Sequence, residues 1–367
     1  MPGFSGLKTY LKRWPAVHRY ARSFRSALGA IDPRVVRGRR EQAEADRTAL
    51  ERLGSRDATF ESAAEAVERL LGRPGAEQEL FRLLRAKGIY LLRDHYYRPL
   101  TDPSKLPAGY FSTRSRMVGV AIDPSRCFEL AETVLREYIE ELRSFLPMGS
   151  DGIAGSLHLV NGTYMAVDAH VYYALIRHLK PARIYEVGAG NSTLFAHEAL
   201  KRGGLLARTE LTVIEPYPDQ IVTTGLASVA RVRRSFVQDV EPEFFESLGE
   251  GDVLFIDSTH VLREGGDVQH IYGEILPRLA RGVCVHVHDI SLPARYPRCY
   301  FEYGWFWNEQ YLLQAYLTGN ARAEVLWPGN FLMCHDPARM MKLFPEIAAM
   351  RAVYPDSEPT AFWFRVT

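Results

Sequence analysis

The run Tyr185-Glu186-Val187-Gly188-Ala189-Gly190-Asn191-Ser192-Thr193 joins an apolar segment to a helical one. Glycines at 188 and 190 let the backbone pass close to a ligand at the carboxyl edge of a sheet. A dinucleotide loop needs a third glycine where Thr193 stands, so a pyrophosphate is disfavoured. Glu186 points the same way, because an acid beside the loop repels phosphate and suits a cationic amino-acid ligand. Asn191 and Ser192 open the helix that follows and would lie along that ligand. Glu215 closes the next apolar stretch, where an acid takes both hydroxyls of a ribose. Gln238 and Asp239 close the one after, where an amide and a carboxylate would meet an adenine edge. A nucleoside with a zwitterionic tail satisfies all three positions, and S-adenosylmethionine (SAM) is the ligand expected.

Residues at these positions need strand ends to hold them. Apolar segments at 183–187, 211–214, 232–237, 253–256 and 283–287 alternate with helical ones at 166–179 and 194–201. Two more apolar segments, 323–333 and 361–366, flank a helix around 338–350. Such alternation means crossover connections and an α/β, doubly wound, Rossmann-like sheet that is mostly parallel. Upstream, 41–53, 57–71, 77–87 and 128–145 read as helices, and the proline-rich stretch 94–126 as loop. The chain of 367 residues is therefore expected to hold a basic arm (1–40), a helical cap region (41–150) and a sheet domain (151–367).

The ordered set Glu186-x-Gly188-x-Gly190, Glu215, Asp239 and the strand 252–257 resembles the motifs of class I SAM-dependent methyltransferases. From about Tyr90 onward the chain also resembles a bacterial branch of that superfamily. That likeness is carried by His95-Tyr96-Tyr97, Asn161-Gly162-Thr163-Tyr164 before Asp168-Ala169, Phe255-Ile256-Asp257-Ser258-Thr259-His260, Glu274-Ile275-Leu276-Pro277 and His286-Val287-His288-Asp289. The resemblance implies a seven-stranded sheet with a reversed last strand, SAM at the first strand ends and methyl transfer. It does not imply a particular acceptor.

In that fold the fourth and fifth strands are neighbours, so Asp257 and the pair His288-Asp289 would end about 5 Å apart. Cation-dependent catechol- and sugar-type O-methyltransferases carry metal ligands at the matching places, so the resemblance implies a divalent-cation site at Asp257, His288 and Asp289. Asp257 would border the cofactor as well. His288 departs from the usual carboxylate and moves the expected ion from Mg²⁺ toward Mn²⁺, Fe²⁺ or Zn²⁺. His260 is a fourth ligand or the general base. Without an ion, His260 or His288 would be the base, with Asp257 beside them. A 2-His-1-carboxylate iron enzyme on the same scaffold is the rival reading.

Eight aromatics lie between Tyr296 and Tyr311, among them Tyr303, Trp305 and Trp307. Tyr296, Tyr303, Trp305 and Trp307 are expected to wall a small-molecule or glycan acceptor, since aromatic faces bind rings and exclude water. Packing of the next helix, 308–317, or a homodimer interface accounts for the same residues. Asn161, Tyr164 and Asp168 are expected to close over the cofactor, although Asp168 also fits a helix cap.

Lys+Arg number 45 and Asp+Glu 44, a formal net charge of +1, which excludes a protein basic throughout. Residues 1–40 hold ten basic residues and one acid, leaving 35 basic and 43 acidic for the rest. A nucleic-acid acceptor is therefore not expected at the sheet domain. The arm 7–28 has apolar residues at spacings of three and four, a basic amphipathic helix able to lie on an anionic membrane surface or on its own protein. No apolar run approaches the ~18 residues that span a bilayer, and no secretory leader is evident. Cys127, Cys284, Cys299 and Cys334 lack metal or disulfide spacing, so a cytoplasmic location, with peripheral membrane contact through the arm, is expected.

Overall fold

The structure, a computed structural model, describes Leu71 and residues 76–150, 156–218 and 230–367. The basic arm 1–40, the helix expected at 41–53 and all but Leu71 of the helix expected at 57–71 lie outside the described residues. The described chain divides into two units. The smaller holds the described residues up to Lys105 together with Phe301–Gly304. Its helix α1 (Ala76–Arg85) is amphipathic and carries Glu77, which pairs with Arg98 at 3.0 Å. His95, Tyr96 and Tyr97 stack there, and both tyrosines are exposed.

The larger unit runs from Leu106 to Tyr300 and from Trp305 to Thr367. Residues 106–150 belong to the same unit as the sheet. The helix expected at 128–145 is broken into Pro124–Glu129, a widened turn at Leu130–Val134, and α2 (Arg136–Phe145). It is followed by α3 (Asp168–Leu179), β1 (Arg183–Val187), α4 (Asn191–Arg202), β2 (Glu210–Ile214), β3 (Arg231–Arg233), β4 (Val253–Ile256), β5 (Cys284–Val287), α5 (Glu309–Leu317), β6 (Ala323–Pro328) and β7 (Phe362–Val366). The strand order is β3-β2-β1-β4-β5-β7-β6. β7 is antiparallel to both of its neighbours and every other pairing is parallel, so β7 is the reversed strand.

Strand parity sorts the core. Ile184, Phe255 and Trp363 pack with α3 and α4 on one face, while Tyr185, Leu254, Val285 and Phe364 pack on the other. Both faces are covered, which is why the central strands read as continuous apolar runs. Glu186 and His286 share the parity of Ile184 and Phe255 and are wholly buried on the α3 side.

Three expectations are corrected. β3 stops at Arg233, because Ser235 N–H donates to the Arg233 carbonyl and the chain turns into a 3-10 turn at Val237–Asp239. Gln238 and Asp239 thus sit on that turn and not at a strand end. The segment 323–333 is strand only to Pro328, and Gly329–His335 is helical. The helix around 338–350 is two helices, Pro337–Leu343 and Glu346–Val353, because Pro345 forces Phe344 out of helical geometry. None of the four cysteines forms a disulfide. Among the described residues no helix is long and apolar enough to cross a membrane.

Candidate active site

The parallel strands bring their C-terminal ends to one edge, and β1 and β4 flank the point where strand order reverses. Ligands of doubly wound sheets bind there. Hydrogen bonds beyond the strands fix the ends. Asp257 N–H donates to the Val187 carbonyl at 2.9 Å, and His288 N–H to the Ile256 carbonyl at 2.9 Å. Asp257 and His288 thereby become neighbours, as their sequence positions imply.

Gly188 has φ +87, and a Cβ there would lie 2.2 Å from the Asp257 carbonyl oxygen. This glycine is needed for the chain's own packing. Gly190 differs, because a Cβ on it would meet nothing within 4 Å. Its N–H donates to Thr193 Oγ1 at 3.3 Å, and Thr193 Oγ1 donates to Glu186 Oε2 at 2.5 Å. Tyr172 donates to the other Glu186 oxygen at 2.7 Å. Glu186 is therefore a buried strut that ties α3, β1 and the loop together. Asn191 Nδ2 donates to Thr163 Oγ1 at 2.8 Å, joining the loop to the turn organised by Asn161. Ser192 is buried in the first turn of α4. Glu215 Oε1 accepts from Tyr217 N–H at 2.8 Å, and burial raises its pKa. Gln238 Oε1 is buried and makes no hydrogen bond, whereas Asp239 is exposed.

Burial pushes the Glu186 carboxyl up to about 7, against its hydrogen bonds from Thr193 and Tyr172. A carboxyl whose pKa is raised by folding binds its proton more tightly in the native state. Its contribution is therefore greatest below the unfolded value near 4.5 and is lost as pH rises through about 7. Glu186→Gln is expected to gain stability relative to the wild type by up to about 3 kcal/mol between pH 5 and 8. Thermal melting of both proteins across that range checks this, and parallel curves would refute it.

The charged centre lies beside the loop. His288 Nδ1 is 3.5 Å from Asp257 Oδ1 and 3.6 Å from Asp289 Oδ1, and it makes no hydrogen bond. One donor atom each from Asp257, His288 and Asp289 lies within 4.8 Å of the others, close enough for one ion. His260 Nε2 faces the same acids, at 3.3 Å from Asp257 and 3.5 Å from Asp289. Its Nδ1 meets Glu309 Oε2 at 2.9 Å. The His260 carbonyl accepts from Asn308 and Glu309 N–H, so the start of α5 is built on His260. His288 Nε2 lies 3.9 Å from Asp168 Oδ2, which accepts from Thr360 N–H. Thr360 Oγ1 also reaches Asp289 at 3.3 Å. His260 and Asp289 are non-glycine residues at positive φ, 60° and 54°, a strain that surrounding structure must hold in place.

Charge follows from this packing. Partial burial opposes an ionised Asp257, yet His288 and His260 hold its carboxyl well below the usual range. Burial likewise opposes a charged His288, yet Asp289 and Asp257 raise it to about 9. Burial raises Asp168 to about 6 against the pull of His288 and Thr360. His260 is raised by Asp257 and Glu309 despite its burial.

The expected aromatic wall separates into three parts. Trp307 lies over His260, with ring centres 4.3 Å apart, and Trp305 stacks on Trp307 at 5.5 Å. Tyr296 is 1% exposed and its hydroxyl accepts from Gln310 N–H, so it packs α5 and does not line an open face. Tyr303 falls in the smaller unit. Glu309 was not anticipated, because an acid in the first turn of a helix is ordinary. A carboxylate buried there was the feature to find.

Comparison with known proteins bears on the same segment. Residues 185–290 match the family model of a methyltransferase domain. An uncharacterised protein of Archaeoglobus fulgidus is 38% identical over 92 residues, 24% of this chain and 41% of that protein. Similar solved structures include a Podospora anserina methyltransferase bound to S-adenosylhomocysteine (SAH). It has a TM-score of 0.36 and 16% identity over 64% of this chain and 88% of its own. A putative methyltransferase of Thermobifida fusca has a TM-score of 0.33 and 12% identity over 71% and 98%. The scores are low, and the fold rests on the strand order above. The segment 185–290, which matches the methyltransferase-domain model, contains the Gly188–Gly190 loop, Glu215, Gln238 and the cluster of Asp257, His260, His288 and Asp289.

Proposed function

We propose that this chain transfers the methyl group of SAM to a hydroxyl oxygen of a small-molecule or glycan acceptor, with a divalent cation held by Asp257, His288 and Asp289. The observation that carries this reading is the contact of the cofactor loop with the charged centre. Gly188 lies directly on the Asp257 carbonyl, so a donor on the loop and an acceptor at the cluster share one edge. SAM fits the residues present. Gly190 leaves room for a ligand, Gln238 Oε1 awaits a donor such as an adenine amine, and Glu215 stands at the end of β2. The ion fits as well, because the buried Nδ1 of His288 has no partner and faces two carboxylates.

In the transfer the sulfur–methyl bond breaks as the oxygen–methyl bond forms. SAH leaves, and the hydroxyl proton is lost to water. A bound divalent ion supplies Lewis acidity, which lowers the pKa of a hydroxyl beside it. The chain supplies alignment. The loop orients the donor, the cluster orients the acceptor, and Trp307 keeps water from His260. His260 is poorly suited to act as a metal-free base, because three carboxylates stabilise its protonated form. The acidic balance outside the arm favours an uncharged or cationic acceptor over nucleic acid.

Labelled SAM offered with a panel of hydroxylated acceptors, with and without chelator, tests the proposal. Label on an acceptor oxygen, lost on chelation, is expected. Absence of SAH binding in calorimetry would overturn it. Glu215→Ala removes a charged acceptor of ribose hydrogen bonds, and SAM affinity is expected to fall about tenfold to a hundredfold. Calorimetric titration of that variant checks the assignment, and an unchanged affinity would exclude it.

A further inference from the structure

The four groups around the cluster alternate in kind. Going round, Asp257, His288, Asp289 and His260 place each imidazole nitrogen between two carboxylates, at 3.3 to 3.6 Å. The outer nitrogen of each ring is turned to a buried acid. Glu309 accepts from His260 Nδ1–H at 2.9 Å, and Asp168 stands 3.9 Å from His288 Nε2. Metal-bound histidines characteristically donate their second N–H to a carboxylate, which fixes the tautomer and leaves the inner nitrogen its lone pair. Glu309 is wholly buried and lies on α5, whose first N–H groups are held by the His260 carbonyl. Ring and carboxylate are thus fixed by the same few atoms of backbone.

From this we infer that His260 is a fourth ligand of the cation and that Glu309 is the positioning residue that turns its Nε2 inward. The inference rests on the cation site proposed above and extends it. Two imidazoles and two carboxylates suit Mn²⁺, Fe²⁺, Co²⁺ or Zn²⁺ better than Mg²⁺, which prefers oxygen ligands and retains its water. His260 also carries Trp307 over its ring, so the ligand and the aromatic cover are coupled.

The test uses the full chain stripped of metal and titrated with Co²⁺ alone and with Mg²⁺ alone, followed by calorimetry and by visible absorption of Co²⁺. The wild type is expected to prefer Co²⁺. His260→Ala and Glu309→Gln are each expected to weaken Co²⁺ about tenfold to a hundredfold and to change its spectrum, with SAH binding unaltered. Co²⁺ affinity and spectrum unchanged in His260→Ala would overturn the inference and leave the three-ligand site standing. A wild type that binds neither ion would overturn both, with SAH binding showing that the cofactor site is intact. Should Glu309→Gln lose SAH binding or its melting transition, His260→Ala decides the matter by itself.

Discussion

Asp257→Asn is expected to reduce turnover by about a hundredfold to a thousandfold, the loss typical of removing one preorganised electrostatic group. Asp257 is the residue through which the whole centre communicates. It faces His288 at 3.5 Å and His260 at 3.3 Å, and its backbone carries the contact with Gly188. An amide keeps the shape but carries no negative charge to balance two imidazolium groups or to strengthen the hold on a cation. Its side chain is part-exposed at 39%, so the variant should fold. SAH affinity should stay within a few-fold, because Glu215 follows β2 and Gln238 lies on the turn Val237–Asp239, away from the cluster. Chelation of the wild type should match the variant, and added Mn²⁺ should restore only the wild type. Initial rates with the best acceptor, with metal content confirmed by elemental analysis, decide the matter. Full activity in a metal-free Asn variant would remove the cation from the reaction.

Gly188→Ala should produce the largest loss of stability among substitutions in the loop. A positive φ costs a non-glycine residue about 1–3 kcal/mol. The clash at 2.2 Å adds to that, because the obstacle is the Asp257 backbone, which cannot swing away. A total of about 3 kcal/mol or more is expected, lowering Tm by roughly 5 °C or more. Gly190→Ala is the contrasting control. Its φ of 173° is ordinary extended backbone, and its Cβ would stand in open space. Melting should barely change there while SAM affinity falls, because the methyl occupies room the cofactor needs. Equal melting of the two variants would refute this division of roles between the glycines.

Much of the architecture was legible because parallel strands leave strong traces. Buried runs such as Val253–Ile256 and Cys284–Val287 admit few alternatives, and the residues just past them must share an edge. That alone brings Asp257 to His288. Parity was the missed signal for Glu186. In β1 an acid alternates with Ile184 on a fully buried face, which demands partners from a helix, here Tyr172 and Thr193. The apolar count also overran β3, because Val232 and Val237 belong to different elements separated by the bend at Ser235. Glu309 was hidden for another reason. Its partner His260 is 49 residues away, and no local pattern records that a helix starts on another residue's carbonyl.

The reversed strand has a consequence for how this sheet comes into being. β6 pairs with β7 alone, and β7 also closes the outer side of β5. Until β7 inserts, a folding chain exposes two apolar strand edges separated by distant stretches of sequence. Such non-local closure is slow and leaves intermediates prone to self-association. Thr360, just before β7, is also the residue that hydrogen-bonds Asp168 and Asp289. Insertion of the closing strand therefore seals the sheet and completes the charged centre in one event. A partly folded chain would carry a finished Gly188–Gly190 loop beside an unfinished charged edge.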